Sequence, residues 1–119
     1  TEINAFGYAG CEAALRHGWP WRDQLLDVLR SNRDLVENFV TTVLPAIRTW
    51  RVEATYLAWL DARGLHLPNP AKFFEDHGVG LSDGVPFSAP AGFLRLNFGC
   101  PRSQLDEALR RMAQALRSR

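Results

Sequence analysis

Lysine is all but missing from this chain: of its 14 basic residues, only Lys72 is not an arginine. Any chemistry that needs a lysine amine therefore has one candidate. Cysteine is scarce too. The 2 thiols, Cys11 and Cys100, lie far apart without Cys-x-x-Cys spacing, which excludes a disulfide framework and leads us to expect reduced thiols in a cytoplasmic protein. An excess of charge of one sign is absent: 14 basic against 13 acidic residues leave a net +1, no footprint for a nucleic acid or an anionic membrane surface. No apolar run approaches the roughly 20 residues of a membrane span. The 3 histidines form no metal set, since His17 and His77 each precede a glycine and read as C-terminal helix residues favourable to the dipole. A glycine-rich phosphate loop, a Ser-His-Asp order and a metal-binding helix motif are all missing. The chain by itself shows no complete catalytic apparatus.

What is present is the composition of an ordinary globular domain, 46% hydrophobic and 23% charged over 119 residues, long enough to bury a core. Residues 4–17 read as a helix rich in small residues, stopped at Gly18. Trp19-Pro20-Trp21 opens a helical stretch to about Leu44, with Leu25, Leu26, Leu29, Val36, Phe39, Val40, Val43 and Leu44 at a 3.6-residue period. Its window Arg30-Ser31-Asn32-Arg33-Asp34 is polar, and Ser31-x-x-Asp34 resembles a capping box. With no glycine or proline before Pro45, one continuous helix is the favoured reading.

Strands are expected over Ile47–Arg51 and Ala54–Asp61, followed by a loop from Gly64 to Pro68. Asn69-Pro70 supplies an N-cap and a first-turn proline for a short helix, Ala71–His77, that ends at Gly78. Val79–Leu81 reads as a strand and Ser82–Gly92 as a loop. After the strand that follows, Ser103-x-x-Asp106 is expected to cap a last helix whose Leu105, Ala108, Leu109, Met112 and Leu116 form one apolar stripe. The order predicts an α+β fold, a small and mainly antiparallel sheet with helices packed on one side, preceded by a long helix.

The residue that carries information about function is Arg95, within Gly92-Phe-Leu-Arg-Leu-Asn-Phe-Gly-Cys-Pro-Arg102. Alternation places it with Phe93 and Asn97 on one face of a strand, against Leu94, Leu96 and Phe98 on the other. A guanidinium at such a position wants an anion for its planar fork of donors. Glu53, Asp61 and Asp83 are the internal candidates. A carboxylate-bearing small molecule is the other, favoured by the glycine- and proline-rich loop that precedes the strand. The residues alone leave the two evenly matched. Cys100, between Gly99 and Pro101, reads as a small residue at a turn, because no histidine lies near it in sequence. The 4 tryptophans and 7 phenylalanines read as core and interface packing, since no basic residues interleave with them as a base-stacking surface requires.

Three segments together resemble a known family: Glu53-Ala-Thr-Tyr-Leu-Ala-Trp-Leu-Asp61, Phe74 through Gly78-Val-Gly-Leu-Ser-Asp-Gly84, and Phe93-Leu-Arg-Leu-Asn-Phe-Gly-Cys-Pro101. They look like the C-terminal part of pyridoxal-phosphate enzymes of aminotransferase class I/II, in the cystathionine β-lyase-like (C–S lyase) branch. Asn4-Ala-Phe-Gly7, Trp21-x-x-Gln-Leu-Leu26 and Asn32-Arg-Asp-Leu35 are similar to the same branch. The resemblance implies the small domain of a fold-type I protomer, in a homodimer, that closes over an amino-acid substrate.

On that resemblance Arg95 falls where the family's arginine grips the substrate α-carboxylate. The lysine that bonds the cofactor, the aspartate facing the pyridine nitrogen and the phosphate-binding segment belong to a large domain that these residues do not include. Lys72 stands in the wrong context to replace that lysine. Phe87-Ser88 replaces the family's usual Phe-Gly. We therefore expect residues 1–18 to be the tail of the large cofactor domain or interdomain helix and 19–119 the small domain. No catalytic residue, cofactor contact or metal ligand is expected in this chain, and alone it is expected to be inactive. The parent would be a lyase or aminotransferase that holds pyridoxal 5'-phosphate, with no nucleic-acid or membrane partner. The alternative is a free-standing α+β module that binds or senses a small carboxylate.

Overall fold

The structure is a computed structural model that describes residues 4–118. Helix α1 spans Ala5–His17, capped by Asn4, whose side chain accepts from the Gly7 amide at 2.8 Å. It stops at Gly18, where Pro20 at the start of the next helix has no N–H to continue the ladder. Helix α2 then runs unbroken over Trp19–Val43. The polar window at its centre is explained by Asn32, which is 1% exposed and donates its side-chain amide to the Phe98 and Cys100 carbonyls at 3.0 and 2.9 Å. No capping box forms there, because Ser31 sits mid-helix and its oxygens accept from Arg102.

Four strands follow, β1 (Arg48–Thr49), β2 (Leu57–Asp61), β3 (Ser82–Asp83) and β4 (Phe93–Asn97). They form one antiparallel sheet in the order β1-β2-β4-β3. The expected element order is the observed one, and the class is α+β with a small antiparallel sheet. Several boundaries differ, each because a backbone donor is engaged elsewhere. The first strand ends early because the Val52 amide turns to Glu37 of α2 at 2.9 Å. The second starts late because Thr55 adopts a left-handed φ of 67°, which interrupts a pleat. The expected strand at Val79–Leu81 is displaced to Ser82–Asp83, because the Val79 amide closes the preceding helix onto Phe74 at 2.9 Å.

That preceding helix, α3 (Pro70–Asp76), begins as expected with Asn69 accepting from the Lys72 amide. It ends at Gly78 with φ 77°, where the Gly78 and Val79 amides bond back to Glu75 and Phe74; this is a Schellman closure. The stretch expected as loop at 64–68 holds a single 3-10 turn over Arg63–Leu65. The last helix, α4, spans Arg102–Arg117, and Ser103 does not cap it. Pro101 precedes it, and the Pro101 carbonyl takes the Gln104 and Leu105 amides.

Val36 and Val40 of α2, Phe74 of α3, and Leu105, Leu109 and Met112 of α4 form one buried cluster with Ala58, Leu60, Leu94 and Leu96 from the inner sheet face. The helices thus cover one side of the sheet and leave the other open. Helix α1 has no buried residue, with Phe6 89% exposed. The radius of gyration, 17.1 Å, exceeds the about 13–14 Å of a compact chain of this length. The tryptophans do not build this core: Trp19, Trp21 and Trp50 are exposed and Trp59 is half-buried on the open face.

Candidate functional site

The open face of the sheet is where β4 and β2 place the side chains that alternate away from the core. Register sets Trp59 directly opposite Arg95, and Ser82 of β3 opposite it on the other side. Leu94 and Leu96 face the core while Phe93 and Arg95 are half-buried, so the expected alternation holds. A cleft of about 600 Å³ opens over this face, lined by Trp59, Phe93 and Arg95 from the sheet, by 50–55 and 57, and by Ala89-Pro90.

Each internal candidate partner of Arg95 is accounted for. Asp61 is 6% exposed and is held by Arg63 through two side-chain bonds of 2.8 Å and a backbone bond of 3.1 Å. Those bonds hold its carboxyl below the usual carboxylate range, against the upward push of burial. Asp83 accepts from the Val85 amide at 3.2 Å, closing the next turn. Glu53 lines the cleft but forms no ion pair with Arg95. Among the described residues Arg95 has no hydrogen bond and no salt bridge. Its one specific contact is with the Phe87 ring, whose centroid lies 3.7 Å from Arg95 Cζ. A ring face engages one face of a guanidinium and leaves the N–H edges free.

The cleft wall is aromatic. Trp50 stacks on Phe93 at 6.1 Å between centroids, with Arg63 over the same ring at 4.9 Å. Trp59 meets Phe87 edge to face at 6.4 Å. Arg51, also at the rim, is engaged by Asp34 and Glu37 at 2.9 and 2.8 Å. Arg95 and Glu53 are thus the two charged cleft residues with no ion pair among the described residues. Thr55 and Ser88, neither a glycine, hold positive φ of 67° and 62° beside this site, where strain of this kind tends to collect. Sequence reasoning located Arg95 but missed Phe87. The available signal was an aromatic residue inside the glycine- and proline-rich loop before the strand.

The remaining reactive groups are elsewhere. Burial pushes the Cys100 thiol up, the opposite of an activated nucleophile. His77 donates from Nδ1 to the Phe73 carbonyl at 2.7 Å, at the end of α3 as expected. Lys72 lies exposed on α3, where Asp76 at 2.6 Å and Glu75 at 3.4 Å raise its pKa. It does not line the cleft. Among the described residues no group of three or more His, Cys, Asp or Glu could hold a metal ion, and no helix is long and apolar enough to cross a membrane.

With this geometry in place, the chain can be set beside known proteins. No family model matches it. A putative cystathionine β-lyase of Mycobacterium leprae is 40% identical over 120 residues, covering 87% of this chain and 30% of that protein. The crystal structure of OvoB superposes with a TM-score of 0.94 at 44% identity, over 100% of this chain and 31% of that one. A putative pyridoxal-phosphate-dependent β-cystathionase from Corynebacterium diphtheriae gives 0.92 at 33% identity, over 98% and 32%. The chain therefore spans about 30% of the length of the curated relatives it matches. Pyridoxal phosphate, on which the Corynebacterium diphtheriae protein is described as dependent, does not fit this chain's own residues: the one lysine is tied to two carboxylates, is raised rather than lowered in pKa, and stands outside the cleft.

Proposed function

We propose, for a chain that matches the C-terminal part of pyridoxal-phosphate-dependent C–S lyases, that its task is to grip the α-carboxylate of an amino-acid substrate with Arg95. The parent is then a cystathionine β-lyase-like enzyme or an aminotransferase, homodimeric, whose large domain supplies the cofactor and the groups that break bonds. Residues 1–18 pack on that domain and 19–119 form the small domain; residues 1–3 and 119 lie outside the described ones. The exposed apolar surface of α1, with Phe6, Tyr8 and Leu15, supports this division.

One observation carries the proposal: Arg95 is half-buried in an aromatic-walled cleft, stacked on Phe87, and has no carboxylate partner among the described residues. A guanidinium so placed offers two parallel N–H donors to a planar anion. Gripping the carboxylate fixes one end of the substrate, and its contribution to rate is orientation rather than proton transfer. The test is Arg95→Ala in the full-length protein. KM for amino acids should rise at least tenfold while affinity for pyridoxal phosphate stays unchanged. Unaltered kinetics would overturn the assignment. The exposure of α1 favours this reading over a free-standing module.

A further inference from the structure

We infer that Phe87 is a positioning residue for Arg95: its ring holds the guanidinium edge-on toward the cleft, so that the substrate carboxylate meets a preset pair of donors. This inference rests on the proposed role of Arg95 and extends it to a residue that does not itself line the cleft.

The loop that carries Phe87 is fastened to the strand that carries Arg95. Gly84, at the start of the turn, donates its amide to the Phe93 carbonyl at 2.8 Å. A Cβ at Gly84 would lie 2.8 Å from that carbonyl oxygen and 2.9 Å from the Phe93 Cβ, so the glycine lets the turn press onto β4. From Gly84 the chain makes one 3-10 turn over Val85–Phe87, closed by the Phe87 and Ser88 amides on the Gly84 and Val85 carbonyls at 2.9 and 3.0 Å. The Ala89 amide then returns to the Gly84 carbonyl at 3.2 Å. Ser88 accepts φ 62° to let the chain leave this turn, a conformation that costs a non-glycine residue free energy. The ring of Phe87 is braced a second time by Trp59, the cross-strand partner of Arg95. The turn and the Trp59 ring, anchored on β4 and β2, thus both hold the one ring that lies over the guanidinium.

The physical consequence is pre-organisation. An arginine side chain free to rotate loses rotamer entropy when it binds, and a guanidinium stacked on a ring has already lost part of it. The ring also keeps water from one face, which strengthens the ion pair formed at the edge. Removing the ring should therefore weaken recognition of the carboxylate and leave unaffected the substrate contacts that do not involve it.

The experiment uses the full-length, cofactor-loaded protein in wild-type, Phe87→Leu, Phe87→Tyr and Arg95→Ala forms, with an amino-acid substrate and its α-carboxamide. Phe87→Leu should raise KM for the acid roughly three- to tenfold, with kcat, cofactor affinity and KM for the amide unchanged. Phe87→Tyr, which restores a ring face, should return KM to within about twofold of wild type. An unchanged KM in Phe87→Leu, an equal rise for acid and amide, failure of the variant to load cofactor, or no rescue by tyrosine would each overturn the inference. Arg95→Ala separates the two claims. If it raises KM for the acid while Phe87→Leu does not, only the role of Phe87 fails. If it leaves KM unchanged, the carboxylate grip itself fails.

Discussion

Arg63 holds both oxygens of Asp61, at 2.8 Å each, and so removes from the open sheet face the one carboxylate that β2 could have offered Arg95. The two arginines lie on the same side of the sheet and have different fates. One is engaged within the fold, and the other has no ion pair among the described residues.

The Asp61–Arg63 pair should be visible as pH dependence. Its bonds to Arg63 lower the Asp61 pKa in the folded state, so the unfolded chain binds a proton more readily. The stabilisation is therefore present above the unfolded value, about 3.9, and is lost as pH falls through the lower folded value. Asp61→Asn should be less stable than the parent sequence at neutral pH, and the gap should close below about pH 4. Urea melts at a series of pH values would show it. A gap that persists or widens at acid pH would contradict the pairing.

Asn32 ties α2 to the segment that leads from β4 into α4. Its amide satisfies the Phe98 and Cys100 carbonyls from a 1% exposed position. Asn32→Ala should cost about 2–3 kcal/mol, because two acceptors lose their donor and a cavity forms. Asn32→Leu should do no better, since leucine fills the space without donating. Denaturant titrations that place either variant within 0.5 kcal/mol (about the margin of a neutral surface change) of wild type would refute this.

Element order was legible from pattern because apolar spacing decides which stretches can bury a face. Both long helices, the Asn69-Pro70 start of α3 and the Gly78 stop were readable on those grounds. Boundaries were not, and the reason is local. The Val52 and Val79 amides are drawn to Glu37 and Phe74, partners 15 and 5 residues away, and no single-strand pattern encodes that. At the site, strand alternation showed which way Arg95 faces. It could not show that Asp61 is engaged by Arg63, or that Phe87 lies over the guanidinium, because both depend on where a turn returns to the sheet. The aromatic residues, read as core and interface packing, divide in the structure: Phe74 and Phe98 are buried in the core, while Trp19, Trp21 and Trp50 lie exposed.

Ser88 holds a left-handed conformation at φ 62°, at the position where the resembling family usually carries glycine. Relief of that strain is partly offset by the larger unfolded-state freedom of glycine, so Ser88→Gly should be neutral to stabilising by up to about 1 kcal/mol. Ser88→Val, β-branched and ill-suited to positive φ, should lose more than about 1 kcal/mol. Thermal melts of the two variants should move in opposite directions or diverge clearly. Equal shifts would mean that the turn does not depend on that conformation.

The central claim is that the free edge of Arg95 is filled by a substrate carboxylate, and a double-mutant cycle measures that contact most directly. Wild-type and Arg95→Ala forms of the full-length protein would be assayed with an amino-acid substrate and with its α-carboxamide. Two charge-assisted hydrogen bonds predict a coupling of about 2–3 kcal/mol between the residue and the carboxylate. Wild type should then prefer the acid by more than tenfold in kcat/KM and the variant should scarcely distinguish the two. Penalties that simply add, leaving the variant as selective for the acid as wild type, would show that Arg95 does not hold the carboxylate.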